Sequence, residues 1–394
     1  MTRASDSASR LLIIGASALQ VPAIERAREL GYQVAVADRD PEAPGVALAS
    51  AFYEVSTIDE DGVTAAARDF APHGIITIGT DMPMRALAAA AEALGLRGPS
   101  RRAVYNATDK GAMAEALRAA RVALPWTEVV TSVAEMRAVT AGRPHPLIMK
   151  PADSSGSRGV TLVESEEGMD SAFEYALSSS RSGRVIVQEY MRGPEVSVEG
   201  LCFGDERTIV AITDKITTGA PSFVELGHSQ PSQLSGERRR QIEEIVQEAL
   251  AALELGDCAF HAEIIVTADG PKLVEIGARL GGDFITSHLV PLSTGVDMIG
   301  GLIDIAVGTR PDTAQRIRRG SAVRFLKSPG TPSRAPEARA MAGVVLVAVV
   351  EGTNARAVRS STDRLGHVIA EGDTVTTAST TAEAAITLLL KREP

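Results

Sequence analysis

The feature that most constrains this chain is a pair of alternating stretches joined by a turn. Residues 259–266 (AFHAEIIV) and 272–276 (KLVEI) both alternate apolar and polar residues with the period of a β-strand. Between them, Thr267-Ala268-Asp269-Gly270-Pro271 carries an Asp-Gly turn signal. A hairpin folded symmetrically about Asp269 sets Glu263 opposite Glu275 and His261 opposite Gly277. Side chains repeat every two residues, so His261, Glu263, Glu275, Gly277 and Arg279 share one face. Cross-strand partners lie roughly 4.5–5.5 Å apart at Cβ, where like charges destabilise a sheet. A bound cation removes that penalty, and oxygen ligands favour magnesium or manganese over zinc. Two solvated glutamates on an exposed face are the plainer alternative, and a one-residue slip in register separates them.

About a hundred residues upstream, Pro146-Leu147-Ile148-Met149 reads as a short apolar strand ending at Lys150. In the segment that follows, Ser154, Ser155, Gly156 and Ser157 offer hydroxyls and a flexible backbone, Arg158 adds charge, and a strand resumes at Val160. Successive N–H groups in such a loop can cradle phosphate oxygens. The Gly-Lys-Ser/Thr order of a Walker A motif is missing, and a flexible connection is the competing reading. Of the 40 lysines and arginines only six are lysines, namely Lys110, Lys150, Lys215, Lys272, Lys327 and Lys391. Where arginine dominates, a retained lysine points to a need for a compact point charge.

Taken in order, Thr108-Asp109-Lys110, Lys150 with its loop, residues 187–195 (VQEYMRGPE) and the Glu263–Arg279 stretch resemble the ATP-grasp carboxylate–amine ligases, including the dipeptide-forming L-amino acid ligases. The resemblance covers nearly the whole chain. It implies an α/β ATP-grasp fold with an N-terminal Rossmann-like (pre-ATP-grasp) domain at 1–107. A lid subdomain at 108–190, a C-terminal ATP-grasp subdomain at 191–320 and an α+β cap at 321–394 would follow. By the same resemblance, ATP and Mg2+ (or Mn2+) are the cofactors and Lys110 and Lys150 contact phosphates. The backbone of Gln188, Glu189, Tyr190 and Met191 reads adenine, Glu195 holds the ribose hydroxyls, and Glu263 and Glu275 bind two metal ions. Arg279 matches the arginine that stabilises phosphoryl transfer. Residues 214–231 resemble a loop reaching the triphosphate and substrates, with Lys215 on phosphate and Glu225 and His228 facing the second substrate. A plain surface loop is the alternative.

One departure from the common pattern stands out. Many ATP-grasp enzymes read Glu-Ile-Asn-Pro-Arg where this chain reads Glu275-Ile276-Gly277-Ala278-Arg279, so one metal ligand is absent. His261, opposite Gly277, or water would fill the gap, unless His261 is a hydrogen-bonded core residue. Beyond Arg279, Gly281 and Gly282 let the backbone approach a substrate, and Asp283 is placed to meet an ammonium group or to cap a turn. Asp81, after an expected strand at 75–79, is a substrate contact or a helix cap.

At 394 residues, 44% hydrophobic and 23% charged, the chain is globular and holds two to four domains. A net charge of −10 argues against nucleic acid. Arg238-Arg239-Arg240 opens a glutamate-rich helix and reads as a solvated face, and Cys202 and Cys258 make no framework or metal spacing. No stretch approaches about 20 uninterrupted apolar residues and no signal peptide opens the chain, so a cytoplasmic location without a membrane partner is expected. The opening βαβ ends in Asp38 but lacks a full Gly-x-Gly-x-x-Gly, which weakens a dinucleotide reading. The expected reaction joins a small-molecule carboxylate to an amine through an acyl phosphate, with Arg279, Lys150 and His228 in catalytic roles; a homodimer is compatible. Carboxylation from bicarbonate and a non-catalytic nucleotide-binding protein are the two alternatives.

Overall fold

Short, wholly apolar runs alternate with helices at the start of the chain, the pattern of strands buried on both faces. They form a parallel sheet of β1 (Arg10–Ile14), β2 (Gln33–Asp38), β3 (Ala51–Glu54) and β4 (Gly74–Ile76), in the order β3-β2-β1-β4. The computed structural model describes residues 9–153, 159–350 and 358–391. Strand β4 is shorter than expected, and the chain leaves it early for the turn that carries Asp81.

The lid is an antiparallel sheet of β5 (Thr127–Val130), β6 (Leu147–Pro151), β7 (Thr161–Val163) and β8 (Val185–Glu189), ordered β5-β8-β6-β7. Helices Val133–Thr140 and Met169–Ser178 close its core, which includes Met136, Leu147, Met149, Phe173 and Val187.

The third sheet has eight strands: β9 (Glu195–Phe203), β10 (Glu206–Thr217), β11 (Glu225–Gln230), β12 (Cys258–Thr267), β13 (Gly270–Gly277), β14 (Gly320–Phe325), β15 (Val344–Val349) and β16 (Gly366–Gly372). Their order is β13-β12-β9-β10-β11-β14-β16-β15. The C-terminal cap is thus built as a continuation of this sheet through β14, with helix Val375–Leu389 packed on it. Most of the expected loop at 214–231 is strand, because β10 runs on to Thr217 and β11 begins at Glu225. No single helix among the described residues is long and apolar enough to cross a membrane.

Two cores run through both the N-terminal sheet and the large one. Leu12, Ile14 and Met84 pack with Val198, Phe260 and Ile276, while Leu11, Ile13 and Ile76 pack with Leu201, Ala259 and Ile303. Alternate residues of β1 therefore serve opposite sides, and these two parts are fused through shared apolar surface. The lid keeps a core of its own. Phe260 is fully buried opposite Gly200, where a Cβ would lie 2.2 Å from the ring's Cζ, so the glycine makes room for the aromatic side chain. Phe260→Ala leaves a cavity at this junction and is expected to cost about 3–5 kcal/mol, seen as a lower midpoint of urea unfolding by far-UV circular dichroism. An unchanged midpoint would show that the junction is not a stabilising core.

Candidate active site

The expected hairpin forms, although by a different count. It turns on Ala268-Asp269, pairing Thr267 with Gly270 and Ile264 with Leu273. A bulge between Glu263 and Ile264 then shifts the register by one, so Glu263 faces Glu275 and His261 faces Gly277 as expected. On the other side of β12, β9 sets Glu195, Ser197 and Glu199 opposite Ile265, Glu263 and His261. Alternation gathers Glu195, Glu199, Glu263 and Glu275 on one face.

Carboxylates this close repel unless cations stand among them. Two lysines do so. Lys215 on β10 has its side chain only 3% exposed, with Nζ 2.5 Å from Glu195 Oε1, 2.7 Å from Glu263 Oε1 and 3.7 Å from Glu225 Oε1. Lys110, opening helix Lys110–Ala119 after the Asp109 cap, places Nζ 3.0 Å from Glu275 Oε2. Burial opposes the charge on Lys215, but the three carboxylates prevail and hold its pKa well above the ordinary lysine value. Burial also opposes ionisation of Glu263, yet Lys215 and His261 keep it well below the usual carboxylate range.

His261 is buried, with Nδ1 2.6 Å from Glu199 Oε1 and Nε2 3.5 Å from Glu263 Oε1. Burial disfavours the imidazolium, but Glu199 and then Glu263 outweigh it and push the pKa up to about 9. The space over Gly277 is filled by another residue. A Cβ there would lie 2.7 Å from Asp81 Oδ1, so the Asp81 carboxylate occupies the room of the missing side chain. Asp81 is itself held by Arg279, whose Nε and Nη2 donate to its two oxygens at 3.0 Å each.

Lys150, at the lid's edge, donates to Gln188 Oε1 at 3.1 Å, and Gln188 Nε2 donates to Thr127 Oγ1 at 2.9 Å. Burial, reinforced by Lys110, pulls the Lys150 pKa down to about 8. A phosphate beside it would reverse that shift. A cavity of about 190 Å3 opens between lid and sheet, with Ile148, Val160, Met191 and Phe223 on its apolar side and Lys110, Lys150, Glu195 and Lys215 on its polar side. Tyr190 packs 6.2 Å from Phe223 between ring centroids, and Glu189 is paired with Lys272. Ser154, Ser155, Gly156 and Ser157 lie outside the described residues.

At the far end, the glycine turn has a different cause from the one expected. A Cβ on Gly281 would lie 2.7 Å from both Glu199 Oε2 and His261 Nδ1, so the protein's own side chains take the space; a Cβ on Gly282 would meet nothing nearer than Gly79 O at 3.7 Å. Asp283 does not present a free carboxylate to an ammonium. Arg364 grips it with Nη1 at 2.6 Å and Nη2 at 2.7 Å, and that guanidinium lies 3.8 Å over the Phe325 ring. Burial opposes ionisation of Asp283, but Arg364 holds its pKa far below the carboxylate range. Asp283 and Phe284 both adopt left-handed backbone conformations, φ 50° and 66°, which is strain stored beside the site. His228, paired in register with Lys215, is 1% exposed; neither ring nitrogen has a hydrogen-bond partner, and Nε2 lies 3.6 Å from Asp283 Oδ2.

Sequence reasoning missed Glu199 and Arg364. Glu199 was findable, because Glu195-Val196-Ser197-Val198-Glu199 alternates like the hairpin strands. Arg364 gives no such signal, since it lies 81 residues beyond its partner in an irregular segment.

The chain matches the ATP-grasp domain over residues 143–287 and the L-amino acid ligase C-terminal domain 2 over residues 333–390. It is 30% identical over 342 residues to an uncharacterised protein of Sinorhizobium fredii, covering 84% of this chain and 68% of that one. The chain belongs to the ATP-grasp family. This ATP-grasp chain is also 30% identical over 253 residues to the alanine–anticapsin ligase of Bacillus subtilis, covering 58% of its own length and 53% of that ligase. The match therefore spans about half of that relative. An L-amino acid ligase from Bacillus licheniformis shares the fold at a TM-score of 0.83 and 20% identity, over 99% of this chain and 100% of that one.

The raised pKa of His261 fixes the sign of a pH effect. A histidine bound more tightly to its proton in the folded state stabilises fully below its unfolded value of 6.5 and loses that stability as pH rises through about 9. Lys150 acts oppositely, but only above about 8. The ligand-free ATP-grasp protein should therefore lose thermal stability between pH 6.5 and pH 8, and Glu199→Gln should flatten that slope. A slope unchanged in Glu199→Gln would contradict the assignment.

Proposed function

We propose that this ATP-grasp chain is a ligase that activates a small-molecule carboxylate as an acyl phosphate, releases ADP, and joins the acyl group to an amine. An amino acid is the favoured amine, giving an amide or a dipeptide. The observation that carries this reading is the opposed pair Glu263 and Glu275, each neutralised by a lysine, beside Arg279 and the cavity between lid and sheet.

Glu263 and Glu275 would hold magnesium or manganese, and their oxygen donors fit a hard cation. Among the described residues no cluster of three His, Cys, Asp or Glu side chains could hold a metal alone, which suits a cation completed by nucleotide phosphates. When bound, the metal supplies charge neutralisation across the β- and γ-phosphates. Lys110 and Lys150 bind the phosphates, and Glu195 takes the ribose hydroxyls. Tyr190, Met191 and Phe223 enclose the base.

In the first step a carboxylate oxygen forms a bond to the γ-phosphorus while the bond to the β-phosphate oxygen breaks, releasing ADP. Lys150 and Arg279 stabilise the moving phosphoryl group. The amine nitrogen then attacks the acyl carbon, phosphate leaves, and the nitrogen loses a proton. His228, buried with both ring nitrogens unpartnered, accepts it. Acyl phosphates hydrolyse, so the separately packed lid excludes water between the steps. The alanine–anticapsin ligase supports this reading by its name, and a cytoplasmic location suits ATP and small-molecule substrates.

The direct test is a screen of amino acids and small acids, taken in pairs, for nucleotide product. ADP and phosphate are expected to appear only when an acid and an amine are both present. AMP and pyrophosphate would contradict the reading.

Glu275→Gln and Lys150→Ala should each slow turnover at least about a hundredfold with the fold intact, since one preorganised charge contact to the transition state is worth about 3–4 kcal/mol. Near-normal ADP release from the folded variants would move the site elsewhere.

A further inference from the structure

Lys215 is placed unlike the other site lysines. Lys150 is hydrogen-bonded to a neutral amide, and its charge is disfavoured. Lys215 instead sits almost without solvent among Glu195, Glu225 and Glu263, with Nζ within 4 Å of all three. Its neighbour across the strand pair is His228. Three carboxylates converging on one buried point are an arrangement for a cation, and the ammonium supplies it.

We propose that Lys215 is a resident counter-ion of the metal site. In the ligand-free chain its ammonium, held also by Glu195 and Glu225, neutralises Glu263 in the role the divalent cation takes over there. The inference rests on the ligase reading for the identity of Glu263 as a metal ligand. It follows that the cation does not enter alone. A divalent ion on Glu263 takes one of the ammonium's three carboxylates and sets further positive charge beside it, which is unfavourable at a buried site. Nucleotide phosphates give it a new partner, so nucleotide and cation bind together. Glu195 ties this exchange to the ribose end, because it shares the same lysine.

The consequence is the reverse of an ordinary loss of function. Removing Lys215 takes the ammonium from all three carboxylates, leaving His261 beside Glu263, and makes a cation site that works without nucleotide. The test is Mn2+ binding to the nucleotide-free protein, read as loss of the free-ion electron paramagnetic resonance signal. Lys215→Met should bind Mn2+ at least about tenfold more tightly than wild type, a difference of about 1.4 kcal/mol. Adding Glu263→Gln to Lys215→Met should remove the gain. A folded Lys215→Met with unchanged Mn2+ affinity overturns the inference. A second measurement needs no variant. Wild type should bind Mn2+ more tightly with a non-hydrolysable ATP analogue than without it, after correction for the analogue's own Mn2+ binding. Equal affinity in the two conditions overturns the inference even where Lys215→Met does not fold. ADP production with unchanged Mn2+ affinity in Lys215→Met refutes the counter-ion role and leaves the ligase reading; the Mn2+ gain without turnover on any substrate pair does the opposite.

Discussion

The ion network on the face of β9, β12 and β13 is what the rest of the structure is arranged around. Four glutamates on three adjacent strands would drive a sheet apart if left to themselves. Lys215 from β10 holds Glu195 and Glu263, Lys110 from the first turn of a helix holds Glu275, and His261 holds Glu199, so the charges that balance this face come from different parts of the chain. In the proposed function the same groups serve chemistry. A surface that demands cations when empty is a surface on which a metal and a polyphosphate can settle with little rearrangement of the backbone.

Packing divides the molecule into parts that stay and a part that can move. The N-terminal sheet shares two cores with the large sheet, which fixes Asp81 over Gly277 and aligns it with Arg279. The C-terminal extension is tied to the turn after Arg279 through Arg364 and Asp283, with Phe325 beneath the guanidinium. The lid and the C-terminal extension each have a core of their own, but the extension's strands continue the large sheet whereas the lid's sheet is separate, and the lid carries Lys150 and Gln188 across the cavity from the glutamates. A lid that closes over a rigid floor suits a reaction whose intermediate must be kept from water.

Much of this was legible because strands write their faces into the sequence with a period of two. The opposition of Glu263 and Glu275 could be read from alternation and an Asp-Gly turn, although the actual turn is tighter and a bulge makes up the difference. That compensation has no local signature, so the right pairing came from an incomplete count. The stretch from 214 to 231 read as a loop because its polar residues face inward rather than to solvent: Lys215 and Glu225 are strand residues lining the cavity between lid and sheet, and His228 is a buried strand residue. Asp283 read as a free anion because its partner is 81 residues away in a segment with no periodicity. What replaces the missing side chain at Gly277 was equally hidden, since Asp81 reaches it from a different domain. Local pattern reports faces and turns; it does not report which distant charge arrives to match them.

The acyl phosphate is the step on which everything else turns, and isotope transfer tests it most directly. A carboxylate substrate labelled with 18O at both oxygens should pass one labelled oxygen to the released phosphate, because the carboxylate oxygen that attacks the γ-phosphorus leaves with it when the amine arrives. Phosphate carrying one 18O, with the amide product retaining the other, is the predicted result. Unlabelled phosphate formed alongside the amide would contradict an acyl phosphate and, with it, the assignment of this site.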